Sequence, residues 1–286
     1  CFRKDKDCKK DASGKVIKPV GNDIKHDVER ISYAYTKKIC GGEISVVFYD
    51  MTTLYFEAAQ EDDRRKTGFS KDGKHSCPQI FLGLLVTTGG NPIGYGIYEG
   101  NIHEGKTLVP MIKDLAGRHG FDHPVVIADA GLLSKKNIED LEAEKYEYIL
   151  GARVKSETAE VKEAILGMNL ENGDVRCIDK ANGVRLIVSM SDKRAAKDEA
   201  MRKKGLQRLE KRFQTGKLTK ANVNNRGYNK YLKMDGDVSV TIDMDKFNAD
   251  AAWDGIKGYV TNTKLSDAEV ISNYSNLWFI ERAFRM

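Results

Sequence analysis

The sequence predicts an α/β protein whose elements follow the order βββαβαβ, with one more helix at the end of the chain. Short apolar runs bounded by turn residues predict the strands, and apolar residues at helical spacing between later runs predict the helices. A change of pattern after Arg153 predicts an insertion. With 41% hydrophobic and 31% charged residues over 286 positions, the chain can bury a substantial core.

The first strands form a meander, because "ISVVFYD", "QIFLGLLVTT" and "IGYGIYEG" are separated by a charged linker and a "GGNP" turn. The next segment, "HEGKTLVPMIKDLAGRHG", has helical spacing and ends at Gly120. "HPVVIADAG" predicts a short buried strand that ends at Asp129. Ser134 then caps a second helix, and "YEYILGAR" follows as a strand.

The residues after Arg153 predict a β-rich, basic module inserted before the last helix. "VRCIDKANGVRLIVSMSD" has the pattern of a hairpin around Asn182-Gly183, and the stretch from 237 to 263 predicts more strand. We therefore expect a core at residues 43–153 and 260–286, with an inserted module at 154–259. Ser266 and Glu269 match a capping box before a long final helix. Residues 1–42 are expected to be the remnant of a truncated N-terminal region.

The positive charge of the chain is concentrated in one segment. The net charge is +5, but residues 193–233 contain 14 Lys or Arg against 3 Asp or Glu. Such a concentration is typical of a surface that contacts phosphates. A solvated helix face with an adjoining loop would give the same count, so both interpretations stay open.

Composition argues against several classes of protein. No apolar stretch approaches the length of a membrane span, and the first residues lack the hydrophobic region of a signal peptide. The five cysteines contain no Cys-x-x-Cys pair, and the one histidine pair spaced i, i+4, His119 and His123, is interrupted by the predicted helix stop at Gly120. Neither a disulfide framework nor a zinc site is predicted, and we expect a cytoplasmic protein.

Three carboxylates stand out against this scaffold. Asp50 lies at the end of an apolar strand in "VVFYDMTTLYFE", Asp129 ends the fourth strand, and Glu281 lies among aromatic residues near the chain end. A capping or turn role is the simpler explanation for Asp50 alone. However, right-handed crossovers place the first and fourth strands side by side. In a continuous helix, Tyr274, Leu277 and Glu281 would share one face, so the helix would bring Glu281 to the two aspartates. Converging carboxylates favour Mg²⁺ or Mn²⁺.

Six segments together resemble the DDE transposases of bacterial insertion sequences. These are "FYDMTTLYFE", "GFSKDGKHSCPQIFLGLLV", "GNIHEGKTL", "VVIADAGLLS", "YILGAR" and "YSNLWFIERAFR", and they cover roughly residues 43–286. The resemblance implies a ribonuclease-H-like core interrupted by a β-rich insertion. It implies that Asp50, Asp129 and Glu281 bind Mg²⁺, for which Mn²⁺ substitutes, and catalyse cleavage of element ends and strand transfer. The implied partners are double-stranded DNA, as terminal repeats and target, and a second copy of the chain. The expected location is the nucleoid.

The resemblance also suggests which residues contact DNA. The signature Tyr-x₂-Arg-x₃-Glu-x₆-Lys is matched by Tyr274 and Glu281, but Leu277 occupies the Arg position. Arg282 or Arg285 is a candidate replacement, with ordinary surface charge as the alternative. Candidates for contact with the DNA backbone in the basic segment are Lys203, Lys204, Lys211 and Arg212.

Other candidates have structural explanations beside functional ones. Asn101, Glu104 and Thr107, in "GNIHEGKTL", are candidates for organising the rim of the active site, with helix capping by Asn101 or His103 as the simpler explanation. Trp253 is a candidate for stacking on an extruded base, whereas core packing is expected for Trp278. Two alternative functions remain: a metal-dependent nuclease on the same core, and a catalytically decayed relic that only binds DNA.

Overall fold

A computed structural model describes residues 24–285 except 59, 71–72, 121–122 and 237–238. The chain divides into two compact units. The first combines the described residues up to Gly151 with those from Asn262 onward, and the second is Ala152–Thr261. Within the described ranges, no helix is both long and apolar enough to cross a membrane.

The first unit is built on a mixed sheet in the order β3-β2-β1-β4-β5. Its strands are β1 (Val46–Tyr55), β2 (Gln79–Val86), β3 (Pro92–Glu99), β4 (Val125–Ala128) and β5 (Tyr148–Ala152). β2 is antiparallel to β1 and β3, while β4 is parallel to β1 and to β5. The predicted ribonuclease-H-like order βββαβαβ is therefore confirmed, including the neighbouring parallel strands β1 and β4.

The core of the first unit lies at the centre of this sheet. The inner residues of β1 and β4 are fully buried: Val47, Phe48, Tyr49, Val126, Ile127 and Ala128. Helix α2 (Leu108–His119) ends at Gly120, whose φ of 58° lies in the left-handed region. Helix α3 (Lys135–Ala143) is capped by Ser134, whose side chain accepts a hydrogen bond from the Asn137 amide. Both predicted helix boundaries are confirmed.

The segment before β1 contains a helix that the sequence analysis did not predict. Residues 1–23 of the predicted N-terminal remnant lie outside the described residues, but Ile24–Ile39 form α1, which packs on β3. The buried Glu29 carboxylate accepts a hydrogen bond from the Tyr95 amide at 3.1 Å and pairs with the Arg118 guanidinium. These contacts make α1 part of the first unit.

The predicted long final helix is wrong, because the structure has two shorter ones, α7 (Asp267–Ser275) and α8 (Trp278–Phe284). The capping box of Ser266 and Glu269 is present as predicted. The break follows Ser275, whose hydroxyl bonds the Ser272 carbonyl, and the Leu277 amide bonds the Tyr274 carbonyl three residues back. Ser and Asn side chains compete with the helical backbone, which favours a break at this point.

Among the described residues of the second unit, more lie in helices than in strands, so the predicted β-rich character of the inserted module is wrong. Its elements are α4 (Ala159–Gly167), β6 (Val175–Asp179), β7 (Arg185–Met190), α5 (Asp192–Gln214), β8 (Leu232–Asp235), β9 (Ser239–Ile242), α6 (Met244–Ala249) and β10 (Ile256–Thr261). β7 pairs with β6 and β10, and β8 pairs with β9. The hairpin turn at Asn182-Gly183 is confirmed, with positive φ at both residues.

Two sequence expectations for this unit are corrected or refined. The basic stretch is mostly one helix, α5, of 23 residues. The predicted strand over 237–263 is interrupted by α6, because Asp243 caps a helix by accepting a hydrogen bond from the Lys246 amide. The core of this unit consists of Leu209, Tyr231, Leu232, Val240 and Phe247.

Candidate active site

Asp50 and Asp129 lie on two adjacent parallel strands, at the point where β4 ends. The prediction that Asp50 ends the first strand is wrong, because β1 continues to Tyr55. The pairing of β1 with β4 ends at Tyr49 opposite Ala128, so the aspartates are the next residues on the two strands. Asp50 is half-buried, and its Oδ1 accepts a hydrogen bond from the Met51 amide at 2.7 Å. The two aspartates are therefore neighbours in the strand register, as the predicted pairing of the first and fourth strands implies.

The turn after β4 fixes the Asp129 carboxylate. Its Oδ1 accepts a hydrogen bond from the Gly131 amide at 2.8 Å, and the side chain is exposed. A Cβ atom at position 131 would lie 2.9 Å from that same oxygen, so only glycine fits this turn without moving the carboxylate. The sequence analysis did not identify Gly131. An Asp followed two residues later by a Gly is a recognisable turn pattern, so Gly131 could have been identified from the sequence.

A buried hydroxyl network holds β1 from the opposite face of the sheet. Tyr49, next to Asp50, is fully buried and donates its hydroxyl proton to Thr107 Oγ1 at 2.7 Å. Thr107 in turn donates to the Met51 sulfur at 2.9 Å. Burial raises the pKa of the neighbouring Tyr98 to about 12. The residues on both sides of Asp50 are thus fixed by neutral hydroxyl groups, and Thr107 acts beneath the strand.

Glu281 is not gathered with the two aspartates. Its carboxylate is 65% exposed, and Oε2 lies 3.8 Å from an Arg285 side-chain nitrogen one turn along α8. Helix α8 itself packs on β1 and β2, with Phe279 against Gly90. Among the described residues, no three His, Cys, Asp or Glu side chains form a group that would hold a metal ion. The structure therefore brings together two of the three predicted carboxylates and places the helix of the third beside them.

The shared face that was expected for Tyr274, Leu277 and Glu281 is absent because the helix breaks. Tyr274 lies on α7 and is only 7% exposed, with its hydroxyl beside Gly151 and the Ala130 amide. Tyr274 thus packs beneath the Asp129 turn, and its predicted contact with DNA stays a prediction. The core packing expected for Trp278 is wrong, since this side chain is 49% exposed.

The predicted DNA-contacting cations occupy different environments. Arg282 and Arg285 are exposed on α8. On α5, Lys204 and Lys211 are exposed, Lys203 pairs with Glu199 at 2.5 Å, and Arg212 is half-buried with a hydrogen bond to Asn229 at 3.4 Å. Proximity in sequence therefore does not place these side chains on one surface.

The second unit also contains a basic cavity of about 560 Å³ that includes Trp253 in its lining. Three carboxylates line it, of which Asp250 is bonded by Lys155 at 2.5 Å and Lys230 at 2.6 Å. Six cations outnumber them: Arg153, Lys155, Arg194, Arg202, Lys230 and Lys257. The cavity combines excess positive charge with an aromatic ring.

Comparison with known proteins gives one family and several solved structures. The family model described as "Transposase DDE domain" matches residues 41–286. The cryo-EM structure of the piggyBac transposase synaptic complex with hairpin DNA is similar at a TM-score of 0.48 and 10% identity, over 93% of this chain and 47% of that one. The Mos1 transposase paired-end complex with left transposon end gives a TM-score of 0.27 and 11% identity, over 47% and 44%.

The catalytic domain of Mos1 mariner transposase gives a TM-score of 0.25 and 10% identity, over 45% of this chain and 61% of that one. The chain thus spans less than two thirds of each of these three transposase chains. No curated protein matches the chain. Because the family model covers nearly all of the chain after α1, the protein belongs to the transposase DDE domain family.

Proposed function

We propose that this protein is a DNA transposase that cleaves DNA at the ends of a mobile element and joins the freed 3′-hydroxyl to target DNA. The observation that carries the proposal is that Asp50 and Asp129 follow the last residue pair of the neighbouring parallel strands β1 and β4, in a chain of the DDE family. Further support comes from α8, which carries Glu281 and packs on the strand of Asp50. An origin in a bacterial insertion sequence, with a cytoplasmic, nucleoid-associated location, is part of the same proposal.

Asp50, Asp129 and Glu281 are the residues that would hold divalent metal, with Mg²⁺ as the proposed ion and Mn²⁺ as its substitute. The fit rests on the donors, because carboxylate oxygens are the ligands these hard cations prefer. When bound, a pair of such ions activates a water or hydroxyl nucleophile and stabilises the leaving oxygen of a phosphodiester.

The protein's own contribution is to orient these carboxylates. The Met51 amide holds Oδ1 of Asp50 and the Gly131 amide holds Oδ1 of Asp129, so both carboxylates are oriented by the backbone. Glu281 completes the set when it exchanges the exposed Arg285 side chain for the metal. An exposed pair of this kind contributes at most about 1 kcal/mol, so the exchange is energetically small.

The DNA contacts form a second part of the proposal. Arg282, Arg285 and the hydroxyl of Tyr274 would meet DNA at the element end, and the cations of the inserted module, including Lys203, Lys204, Lys211 and Arg212, would hold its backbone. The module over 154–259 is proposed as an insertion into a catalytic core formed by 43–153 and 260–286. A homodimer on paired ends is proposed as the working assembly.

The proposal is tested with DNA that carries the repeats flanking the gene. Purified protein is assayed for 3′-end release and strand joining in Mg²⁺ and in Mn²⁺, beside Asp50→Asn, Asp129→Asn and Glu281→Gln. Glu139→Gln, an exposed position on α3, is the matched control. We expect loss of both activities in the three site variants only. Release without joining would indicate a nuclease, and binding with neither activity would indicate a relic.

A further inference from the structure

Five cations form a continuous stripe along α5. At about 100° per residue, Lys193, Lys197, Lys204, Arg208 and Lys211 fall within about 60° of the helix circumference. All five are exposed, and none of them forms an ion pair with another described residue. We call these residues the α5 stripe. By the same geometry, every acidic residue of α5 lies at least about 80° outside it.

The opposite face of α5 is anchored in the core of the second unit, so the orientation of the stripe is fixed. Gly205 and Leu209 are buried, and the Tyr228 ring packs directly against the Gly205 backbone. The Arg202 guanidinium pairs with Asp254 at 2.5 Å and lies 4.9 Å from the centre of the Phe247 ring. Rotation of α5 would break these contacts.

We propose that the α5 stripe is a sequence-independent binding surface for the sugar–phosphate backbone of duplex DNA. This proposal depends on the proposed transposase function only for the choice of DNA as the negatively charged partner. At 1.5 Å per residue, the stripe extends about 27 Å from residue 193 to residue 211, which approaches one turn of a duplex. Phosphates recur along a duplex at a spacing that five cations over this length can follow.

The form of the helix argues against an anionic membrane as the partner. A helix that binds a lipid surface needs an exposed apolar face beside its cations. On α5, Leu206 and Leu209 pack into the core of the second unit, while the half-exposed Met201 and Phe213 lie about 120° apart around the helix. These two side chains do not form a continuous apolar face, so the stripe fits a nucleic acid backbone better.

The α5 stripe also separates the four sequence-predicted cations of α5 into two groups. Lys204 and Lys211 belong to it. Lys203 points to the side that carries Glu199, and Arg212 turns inward to Asn229. Lys193, Lys197 and Arg208 are new members that charge counting did not single out.

The test measures the salt dependence of binding to a duplex of unrelated sequence by fluorescence anisotropy, in EDTA. The stripe variant combines Lys197→Gln, Lys204→Gln and Lys211→Gln. Its matched control removes three charges elsewhere on the surface, at Lys38, Lys162 and Lys246. Each backbone contact contributes about 0.9 to the slope of log K against log salt, so the stripe variant is expected to lose about 2.7 of that slope. The control is expected to keep the wild-type slope.

An unchanged slope in the stripe variant would overturn the proposal, and so would equal losses in both variants. Tighter binding to vesicles of anionic lipid than to the duplex would also overturn it. Circular dichroism spectra and melting temperatures establish that the variants are folded. Because the assay contains no metal, failure of the proposed catalytic function leaves its result unaffected: inactive protein with an intact stripe still shows the full slope.

Discussion

Gly131 is the residue whose substitution tests the geometry of the candidate site most directly. In Gly131→Ala the new methyl would lie 2.9 Å from Oδ1 and 3.4 Å from Oδ2 of Asp129. Since carbon and oxygen atoms pack best at about 3.5 Å, the carboxylate must move by about 0.5 Å and its hydrogen bond to the 131 amide is strained. Loss of a partner that orients a metal ligand typically costs about 10- to 100-fold in metal affinity or activity.

We therefore expect Gly131→Ala to weaken Mn²⁺-dependent cleavage of element-end DNA by about 10- to 100-fold under single-turnover conditions. The free energy of unfolding is expected to stay within about 0.5 kcal/mol, because the turn is exposed. Gly117→Ala is the control, since a Cβ there meets nothing within 4 Å. This exposed helix position should gain about 0.5–1 kcal/mol and keep full activity. Wild-type metal dependence in Gly131→Ala, alongside an inactive Asp129→Asn, would refute the reasoning.

Three further changes test packing around the site and in the second unit. Thr107→Val removes one of the two hydrogen-bond partners of the buried Tyr49 hydroxyl, the other being Tyr98, and should cost about 1 kcal/mol in urea denaturation, whereas no measurable loss would contradict the network. Gly151→Ala would drive a methyl into the Tyr274 hydroxyl and should lower the melting temperature by several degrees, unless that ring is free to move. Burial alone would raise the pKa of Asp250, but hydrogen bonds from two lysines and a tyrosine lower it below its ordinary value. The ionised Asp250 carboxylate therefore stabilises the folded protein fully above about pH 5, and this stabilisation declines below about pH 4. Asp250→Asn should therefore cost about 1–3 kcal/mol at pH 7 and progressively less as the pH falls below about 4, and a pH-independent difference would contradict this assignment.

The strand order of the first unit followed from the sequence because buried strands have a distinct pattern. The apolar runs around Phe48 and Ile127 are short, lie between turn residues and are separated by a helical segment. The break between α7 and α8 was missed because the apolar spacing continues across it. At the break, the Ser275 hydroxyl bonds the Ser272 carbonyl, and the Asn276 and Leu277 amides bond carbonyls three residues back. Such local bonds of Ser and Asn residues compete with the regular helix, and the apolar spacing does not reveal them.

The candidate site was predictable to the extent that it depends on which strands are neighbours. Asp50 and Asp129 could be placed together because the first and fourth strands were predicted to be parallel neighbours, although β1 continues past Asp50 to Tyr55. The contribution of Thr107 beneath Asp50 depends on how α2 packs on the sheet, which local pattern does not specify. The α5 stripe required the helical phase of each cation, whereas a charge count records only density.

The Glu281–Arg285 pair on α8 provides a separate test of the third carboxylate. If Glu281 completes the metal site, Arg285 competes with the cation for the same oxygens, so the two substitutions should act in opposite directions. Glu281→Gln removes a ligand and should weaken Mn²⁺ binding. Arg285→Ala removes the competitor and should strengthen it by up to about fivefold, which corresponds to the roughly 1 kcal/mol of an exposed ion pair.

Isothermal titration calorimetry with Mn²⁺ measures the metal affinity of both variants. Because no DNA is present, a contact between Arg285 and DNA does not affect the result. Opposite shifts would support Glu281 as a ligand that is masked in the metal-free protein. If neither substitution changed the affinity, Asp50 and Asp129 alone would account for binding without DNA. We would then expect Glu281 to be recruited only when DNA binds, through a shift of α8, a seven-residue helix that follows α7 after a tight turn and packs on β1 and β2.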